Sequence, residues 1–546
     1  MNKIFYITTL LLLFGLLWLW QKDLASLQNQ IVHIYHLDAI QAEKLRTNLL
    51  TPSRYLLLRA SFSTIFSTLL VVFFWKRKQF ASSYKGFLTH LQNLFKTFLK
   101  PFQNLSKANL IILGLVLGFV HIYAVYQLHH KIPHIDEAFS YVHFASKGFL
   151  VTALYYPNPN NHILYNLCVT FWDIFLPNKI WAMRLPSLIS FLFLQILLFR
   201  FFLTRFSFTS SLLACLFFAL LSPVQAYSIM GRGYLLQMLF LWLAMLFLLK
   251  ILEEPSKISN QALFVVLSWA GAYALPTYLY YFLAMGFLAL LLAFPDRKKI
   301  YVLLKSYLLL ISALFFTYFP VFLLNGKANM FSESWQEFAK QEFLSKKYEY
   351  FANFGDFWIG IEDCYAFFWG IVGILALMFL LQKKEKSSLL LVLMPIVVLL
   401  IMFAQQKLIP ERIWLGFALS WTILVILASQ SLKKYANILV ILMVLGEVFV
   451  QFYQISNQKN EGYANFAEVY PTIPFERGQR IFSNDLIYQN LLAFYNLQDK
   501  KGLEIDYSNK AKPYQWLILE KNENIAIPKN YSLWKETPFV MIFKQN

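Results

Sequence analysis

Two adjacent carboxylates stand at the edge of a long apolar segment, in the stretch HKIPHIDEAFSYVHF at residues 130–144. They are Asp136 and Glu137. A carboxylate at a membrane interface is costly unless it is solvated, paired or used in chemistry. Two neighbouring carboxylates repel each other, and desolvation by an apolar bilayer raises the pKa of either one. One acid of such a pair is suited to act as a general base, and the alternative is a pair of solvated loop acids.

The composition identifies the surroundings of these acids as a membrane. Of 546 residues, 58% are hydrophobic and only 14% are charged, whereas soluble domains carry about 25% charged residues. The net charge of +19 fits basic cytoplasmic loops, and no segment has the basic and aromatic pattern of a nucleic-acid groove. The three cysteines match neither a disulfide framework nor a zinc site.

Apolar runs predict about thirteen membrane-spanning helices. The predicted spans are residues 4–20, 55–75, 109–128, 183–203, 208–222, 234–250, 261–276, 279–294, 301–323, 366–381, 388–404, 413–429 and 436–452. The first run is bulky to its end and lacks a small-residue cleavage site, which favours a retained anchor over a cleaved signal peptide.

Four basic segments orient these spans. The basic segments are residues 76–107, 296–299, 383–386 and 432–435. With a cytoplasmic N-terminus, thirteen spans place all four in the cytoplasm, as the positive-inside rule requires. Asp136 and Glu137 then face the periplasm of a bacterial inner membrane, or a lumen in a eukaryote.

The predicted fold is an all-α polytopic membrane protein followed by a small extracytoplasmic α/β domain. We divide it into a two-helix extension (1–108), a transmembrane core (109–452) and the C-terminal domain (453–546). Residues 162–175 and 324–365 are expected to contribute juxtamembrane helices. In the C-terminal domain, residues 480–484, 502–508, 515–521 and 539–545 are predicted strands, and residues 485–497 a helix.

An ordered set of motifs follows the two acids. The motifs are PNPNNHILYN (157–166), WAMRLPSLISF (181–191), SPVQAYSIMGRGYLLQMLF (222–240) and GAYALPTYLYYF (271–282). In order and spacing, this set resembles the GT-C superfamily of membrane glycosyltransferases, and within it the protein O-mannosyltransferases and aminoarabinose transferases. The resemblance covers about residues 109–430.

The resemblance implies an inverting transfer from a polyprenyl-phosphate-linked sugar to a glycan, lipid or protein acceptor. Asp136 would deprotonate the acceptor hydroxyl, and Glu137 would position the acceptor or a partner of the base. Charge develops on the leaving phosphate and needs cationic stabilisation. Arginine suits this role because it presents a planar fork of donors and stays charged.

Three basic residues match the positions of phosphate ligands in that family. Arg232 lies between two glycines that would let the backbone approach a ligand, and the alternative is an arginine that snorkels to the interface. Arg412 and Lys407 lie together in QQKLIPERIW, where the family's usual downstream proline pattern is missing.

Four further residues are candidate substrate ligands. Asn161 and His162 take the place of a polar pair that precedes the interfacial helix in relatives, although the proline that often follows is absent. Arg184 either binds substrate or anchors a helix end. Tyr278, within a tyrosine-rich segment, is expected to pack in the core, with sugar stacking as the alternative.

No cofactor is expected to be required. Histidines crowd the acids, and His130 and His134 could join them in binding a divalent metal, since imidazole and carboxylate both suit zinc. Loop histidines at a membrane face are more commonly plain polar residues, so the metal site is the weaker reading.

Two other classes of function compete with transfer. A transporter or flippase of lipid-linked glycans would explain the spans but should place polar residues near mid-membrane on broken helices. A scaffold that displays the C-terminal domain would leave the acids and arginines unexplained. The gathering of acids and arginines at one predicted face favours the transferase.

Overall fold

The computed structural model describes residues 20–546 except 22, 36–42, 44, 76, 157–159, 331–332, 381–385, 457–461, 507–512 and 522–526. The predicted span at residues 4–20 therefore lies outside the described residues, apart from its last position. The described chain is mostly helical and carries one five-stranded sheet near its C-terminus.

The α-helices are numbered in chain order. They are α1 (Leu24–Tyr35), α2 (Pro52–Trp75), α3 (Arg77–Gln103), α4 (Lys107–His130), α5 (Ile135–His143), α6 (Phe149–Leu154), α7 (Ile163–Phe175), α8 (Lys179–Leu203), α9 (Phe208–Leu220), α10 (Ser222–Ser228), α11 (Tyr234–Glu253), α12 (Ile258–Ala274), α13 (Tyr278–Ala293), α14 (Arg297–Met330), α15 (Glu333–Ile359), α16 (Tyr365–Leu380), α17 (Lys386–Gln405), α18 (Ala418–Ser429), α19 (Ala436–Ser456), α20 (Gly462–Val469) and α21 (Leu486–Asp499). A 3₁₀ helix, Glu411–Phe417, leads into α18.

Six described helices are long and apolar enough to cross a membrane, or seven if the bent pair α9 and α10 counts as one span. The chain is thus a membrane protein by helix length and composition, but the predicted count of thirteen spans is not confirmed. Helices occur at the described predicted positions, yet several are short: α13 and α16 have 16 residues each. A bilayer requires about 20 apolar residues in a helix.

Burial separates inner from outer helices of the bundle. In α8 and α11, 61% of the most apolar segment is buried, against 17% in α4. The core between the inner helices is aromatic and aliphatic, with Phe191 and Trp242 fully buried. Arg184 near the start of α8 and Arg232 just before α11 contact α5, the short helix that carries the two acids.

The C-terminal domain confirms the predicted sheet and adds one strand. Its strands are β1 (Arg480–Ser483), β2 (Glu504–Asp506), β3 (Trp516–Glu520), β4 (Tyr531–Glu536) and β5 (Val540–Gln545). The strand order is β2-β1-β3-β5-β4, with β1 parallel to β2 and β3 and with β5 antiparallel to β3 and β4. The unpredicted strand β4 lies at an edge, and none of its residues is buried.

The C-terminal domain packs directly on α5. Helix α21 lies against α5, and the rings of Tyr141 and Phe494 meet edge to face with centroids 5.7 Å apart. His143 Nε2 lies 3.1 Å from Asn490 Oδ1. Residues of α5 and α21 belong to one continuous apolar core. Helix α5 is thus held between the bundle and the C-terminal domain.

Candidate functional site

The two acids lie in the first turn of α5, not in a loop. His134 caps the helix: its Nδ1 accepts the N–H of Asp136 at 3.1 Å. The Glu137 carboxylate reaches back to the N–H of His134 at 2.8 Å, which completes a capping box. The helix dipole also favours negative charge at this end. Local capping therefore fixes the directions in which the two acids point.

Glu137 forms a saturated ion pair with Arg184, which we call the Glu137 clamp. Arg184 Nε donates to Oε1 at 2.9 Å and Nη2 to Oε2 at 2.8 Å. The N–H of Gly231 also donates to Oε1. The remaining Arg184 donors reach the backbone carbonyls of Leu128, Lys131 and Ile132 at 2.7–3.1 Å. All five N–H donors of the guanidinium are engaged.

The clamp is buried and holds its charges in place. Glu137 is 1% exposed and Arg184 2%. Burial alone would raise the pKa of Glu137, but the Arg184 charge and its hydrogen bonds, with those from the N–H groups of His134 and Gly231, hold that pKa below its ordinary value. Neither residue has a group free for substrate. The substrate roles predicted for Glu137 and Arg184 do not fit this geometry, which makes them a brace between α5, α8 and the end of α4.

Asp136 points elsewhere and is the more accessible acid. Its side chain is 33% exposed, and Oδ2 lies 3.7 Å from Nη2 of Arg232. Arg232 Nη1 donates to the Asp136 carbonyl at 3.2 Å and to Ser140 Oγ at 2.9 Å. The two residues are 96 positions apart in the chain and meet as the sequence predicts.

Arg232 carries a donor that nothing satisfies. It is 3% exposed, and its buried Nε has no hydrogen-bond partner among the described residues. A buried polar group without a partner is costly, and the cost for a charged group is larger. The side chain therefore faces a position where an acceptor would complete its bonding.

His162 adds a second donor at the same place. Its Nδ1 accepts the N–H of Gly233 at 3.0 Å, and its Nε2 lies 3.2 Å from Nη2 of Arg232. Burial first, then the charges of Arg232 and Arg412, lower the pKa of His162 well below its ordinary value. A neutral imidazole has one acceptor nitrogen. Since Nδ1 is that acceptor, Nε2 bears the proton, and two N–H donors converge with no acceptor between them.

Arg412 and Tyr234 complete what we call the Asp136 cluster: Asp136, Arg232, His162, Arg412 and Tyr234. Arg412 interacts with the Tyr234 hydroxyl and with the Asp136 charge. The Tyr234 ring stands edge-on to His162, with centroids 5.4 Å apart. Sequence reasoning missed Tyr234 because it begins an apolar helix. Its place directly after the GRG stretch was the only signal.

The two glycines beside Arg232 allow close approach to protein groups. A Cβ at Gly231 would lie 2.9 Å from Glu137 Oε1, and a Cβ at Gly233 would lie 3.0 Å from the Ala274 carbonyl. The GRG stretch thus passes between the clamp and the cluster. The expected approach to a ligand is in fact an approach to Glu137 and His162.

Three other predicted ligands lie outside the cluster. Asn161 is fully buried, donates to the carbonyls of Thr152 and Tyr155 at 2.9 and 2.8 Å, and accepts from Asn166. It therefore fixes the loop before α7. Tyr278 is 1% exposed, and its hydroxyl bonds Ser268 at 3.3 Å, as expected of a core residue. Lys407 contributes only a backbone hydrogen bond to Met402 within the described chain.

The histidines near the acids do not gather around a common point. His130 is exposed, and its Nδ1 bonds the Tyr126 carbonyl of its own helix at 2.8 Å. His134 serves as the cap of α5. Among the residues that the structure describes, no three His, Cys, Asp or Glu side chains are grouped to hold a metal ion.

Comparison with known proteins adds no relative, because no family model matches the chain and no curated protein is similar to it. The site must be interpreted from its own geometry. That geometry is a carboxylate that is one-third exposed, beside two arginines, a neutral histidine and donors that lack acceptors.

Proposed function

We propose that the chain is an inverting glycosyltransferase that moves a sugar from a polyprenyl-phosphate donor to an acceptor hydroxyl. The reaction would take place at the periplasmic face of a bacterial inner membrane. The observation that carries the proposal is the imbalance of the Asp136 cluster. Two arginines face one carboxylate, and buried donors of Arg232 and His162 lack an acceptor. A phosphate supplies both the negative charge and the acceptor oxygens.

The proposed reaction gives each of these groups a role. Asp136 takes the proton of the acceptor hydroxyl, and the oxygen attacks the anomeric carbon. The bond from that carbon to the phosphate oxygen breaks, and the electron pair leaves with the phosphate. Arg232 and Arg412 neutralise this charge where it develops. A single displacement inverts the anomeric centre.

An apolar cavity bordered by the 3₁₀ helix that carries Arg412 suits the lipid part of such a donor. It has a volume of about 450 Å³ and is lined by side chains of α15 to α18 and of the 3₁₀ helix Glu411–Phe417. The same 3₁₀ helix carries Arg412 near its start and Trp414 and Phe417 in the cavity wall. A prenyl chain in this cavity would leave its phosphate near Arg412.

The test follows consumption of the donor. Membranes with the chain are incubated with polyprenyl-phosphate hexoses and pentoses and an envelope extract as acceptor, and released polyprenyl phosphate is measured. Asp136→Asn should lower release by about 10²–10⁴-fold, because proton removal is lost. Arg232→Gln should lower it by about 10²-fold, because leaving-group stabilisation is lost.

A matched control is Glu468→Gln, which neutralises an exposed acid outside the cluster and should leave release unchanged. Unchanged release by Asp136→Asn would remove the base from the proposal. Failure of the wild-type chain to consume any donor would overturn the proposal itself.

A broken helix supports transport of a lipid-linked glycan as a second candidate. Helices α9 and α10 are bent by 69° at Leu221. Glu447, within the apolar helix α19, accepts the N–H of Ser222 at this break. Ionisable residues within apolar helices commonly mark transport pathways, although here Glu447 caps the buried start of α10. Glycan translocation into vesicles that persists in Asp136→Asn would favour this candidate.

A further inference from the structure

A cleft runs between α3 and the inner helices α8 and α11. It consists of three adjoining cavities of about 380, 590 and 560 Å³. Thr97 and Lys250 line both the first and the second cavity, and Phe98 and Leu243 line both the second and the third. The three cavities are therefore neighbours along one side of α3.

The cleft lies far from the Asp136 cluster. Arg200 in the cleft is sixteen residues beyond Arg184 on α8, and Lys250 is sixteen residues beyond Tyr234 on α11. Each interval corresponds to about 24 Å along a helix. The cleft thus opens at the opposite end of the same two helices.

One end of the cleft is entirely apolar. The third cavity is walled by leucine, isoleucine and phenylalanine side chains, among them Phe102, Phe193 and Leu239. Phe193 is half exposed at 51%, so hydrocarbon from outside the protein can reach this wall. The first cavity, at the other end, is lined by polar residues such as His90 and Asn260.

Three cations stand over three phenylalanine rings in the middle cavity. With distances to the ring centroids, they are Arg200 over Phe98 at 5.1 Å, Arg205 over Phe201 at 4.0 Å and Lys250 over Phe247 at 5.2 Å. All six residues line this cavity. Each ring attracts the cation through its face, so the positive charges are held at the boundary between the polar and apolar parts of the cleft.

Pro101 explains the position of Arg200. A proline within a helix has no N–H for the carbonyl four residues earlier, which here is that of Thr97. Arg200 Nη2 donates to the Thr97 carbonyl at 3.2 Å, and Nε donates to the Phe98 carbonyl at 3.0 Å. The proline in α3 thus leaves a carbonyl that accepts from Arg200 and holds its guanidinium at the cleft. Nη1 of Arg200 has no acceptor within the described chain.

The middle cavity has an excess of positive charge. Arg200, Arg205 and Lys250 line it with one acid, Glu253. Within the described residues, neither Arg200 nor Lys250 forms an ion pair. The nearby Glu254 is held by Lys257 at 3.0 Å. An anionic group would balance the two remaining charges.

We propose that this cleft binds a membrane glycerophospholipid with an anionic headgroup. The acyl chains lie against the apolar wall, and the phosphate lies among Arg200, Arg205 and Lys250. Charge complementarity and the step from apolar to cationic lining identify this occupant. The site is independent of the proposed transfer reaction.

The test is native mass spectrometry of the full-length chain in detergent. Equal amounts of phosphatidylglycerol and phosphatidylcholine with identical acyl chains are added. The wild-type chain should retain phosphatidylglycerol preferentially. Arg205→Gln with Lys250→Gln should weaken that retention by about 25-fold, since each juxtamembrane cation contributes about fivefold. Leu243→Trp, which fills the shared wall, should reduce retention of both lipids.

Lys298→Gln is the matched control, because Lys298 is an exposed lysine outside the cleft. It should bind as the wild type does. If the double variant fails to fold, Lys250→Gln alone tests the charge and Leu243→Trp the cavity. Equal retention of the two lipids by the wild type, or no difference between cleft and control variants, would overturn the proposal. Preferential capture of added polyprenyl phosphate would assign the cleft to that lipid instead.

Discussion

The Glu137 clamp and the Asp136 cluster begin at adjacent residues and have opposite bonding. In the clamp, every donor of Arg184 has an acceptor, and the pair is sealed from solvent. In the cluster, Arg232 has a buried Nε without a partner, and Asp136 is one-third exposed. Both contain an arginine and a carboxylate. The comparison teaches that the completeness of hydrogen bonding, and not residue type, distinguishes the clamp from the proposed reactive site.

The neighbouring clamp explains how the cluster can keep the Nε of Arg232 buried without an acceptor. The GRG stretch is bonded to Glu137 through the N–H of Gly231 and to His162 through the N–H of Gly233. The clamp thereby fixes the backbone before Arg232, and His162 fixes the backbone after it. Because the backbone is fixed, the Arg232 guanidinium cannot move to other acceptors, and its Nε stays without a hydrogen bond.

The largest effect should come from breaking the clamp. Glu137→Gln leaves the charge of Arg184 buried without its partner, and removing one member of a buried ion pair costs about 3–5 kcal/mol. We expect a correspondingly large loss of stability, measured by denaturant unfolding of the purified chain in detergent.

The matched variant is Asp136→Asn, one residue away. Because Asp136 is one-third exposed and its nearest cation is 3.7 Å away, the loss of its charge should change stability by about 0–1 kcal/mol. Equal destabilisation by the two variants would contradict the division into brace and site.

A smaller effect is expected where the two regions touch. In Gly231→Ala, the new Cβ lies 2.9 Å from Glu137 Oε1 and 3.2 Å from Met183 Cβ. Glu137 cannot move aside while Arg184 holds it, so we expect the overpacking cost of about 1–3 kcal/mol, measured by the same unfolding assay. Gly118→Ala is the control, since a Cβ there meets nothing within 4 Å. If Gly231→Ala were as stable as that control, the clamp would be softer than its geometry implies.

Much of the fold follows from the apolar pattern, and the parts that do not have identifiable causes. Apolar runs locate the helices, but the length of each helix depends on packing, as the 16-residue α13 shows. Strand β4 was missed because an exposed edge strand shows no regular alternation. The C-terminal sheet itself follows from alternation in the four predicted strands.

The site was predictable in part. The meeting of Asp136 and Arg232 follows from the resemblance and is present in the structure. The division of labour between Asp136 and Glu137 could not be predicted, because consecutive helical residues point about 100° apart and only the packed fold decides which one faces inward. The pairing of Arg184 with Glu137, in place of the substrate role considered for it, has the same cause.

The smallest effect, and the one that sharpens the comparison most, is a pH dependence of stability. Burial and the two arginines hold the pKa of His162 well below its ordinary value, so the folded chain keeps it neutral where the unfolded chain protonates it. As pH falls below about 6.5, the unfolded state binds the extra proton and stability declines, by at most about 1.4 kcal/mol per pH unit.

The variant His162→Asn lacks this titrating group. The unfolding free energy of the variant should therefore fall less steeply between pH 6.5 and pH 5 than that of the wild type, whatever its absolute value. Buried His143 shares the sign of this effect but is present in both proteins, so the difference in slope isolates His162. Parallel slopes would mean that His162 is charged in the folded state, and the convergence of unpaired donors in the Asp136 cluster would then be a crowd of three cations around one carboxylate.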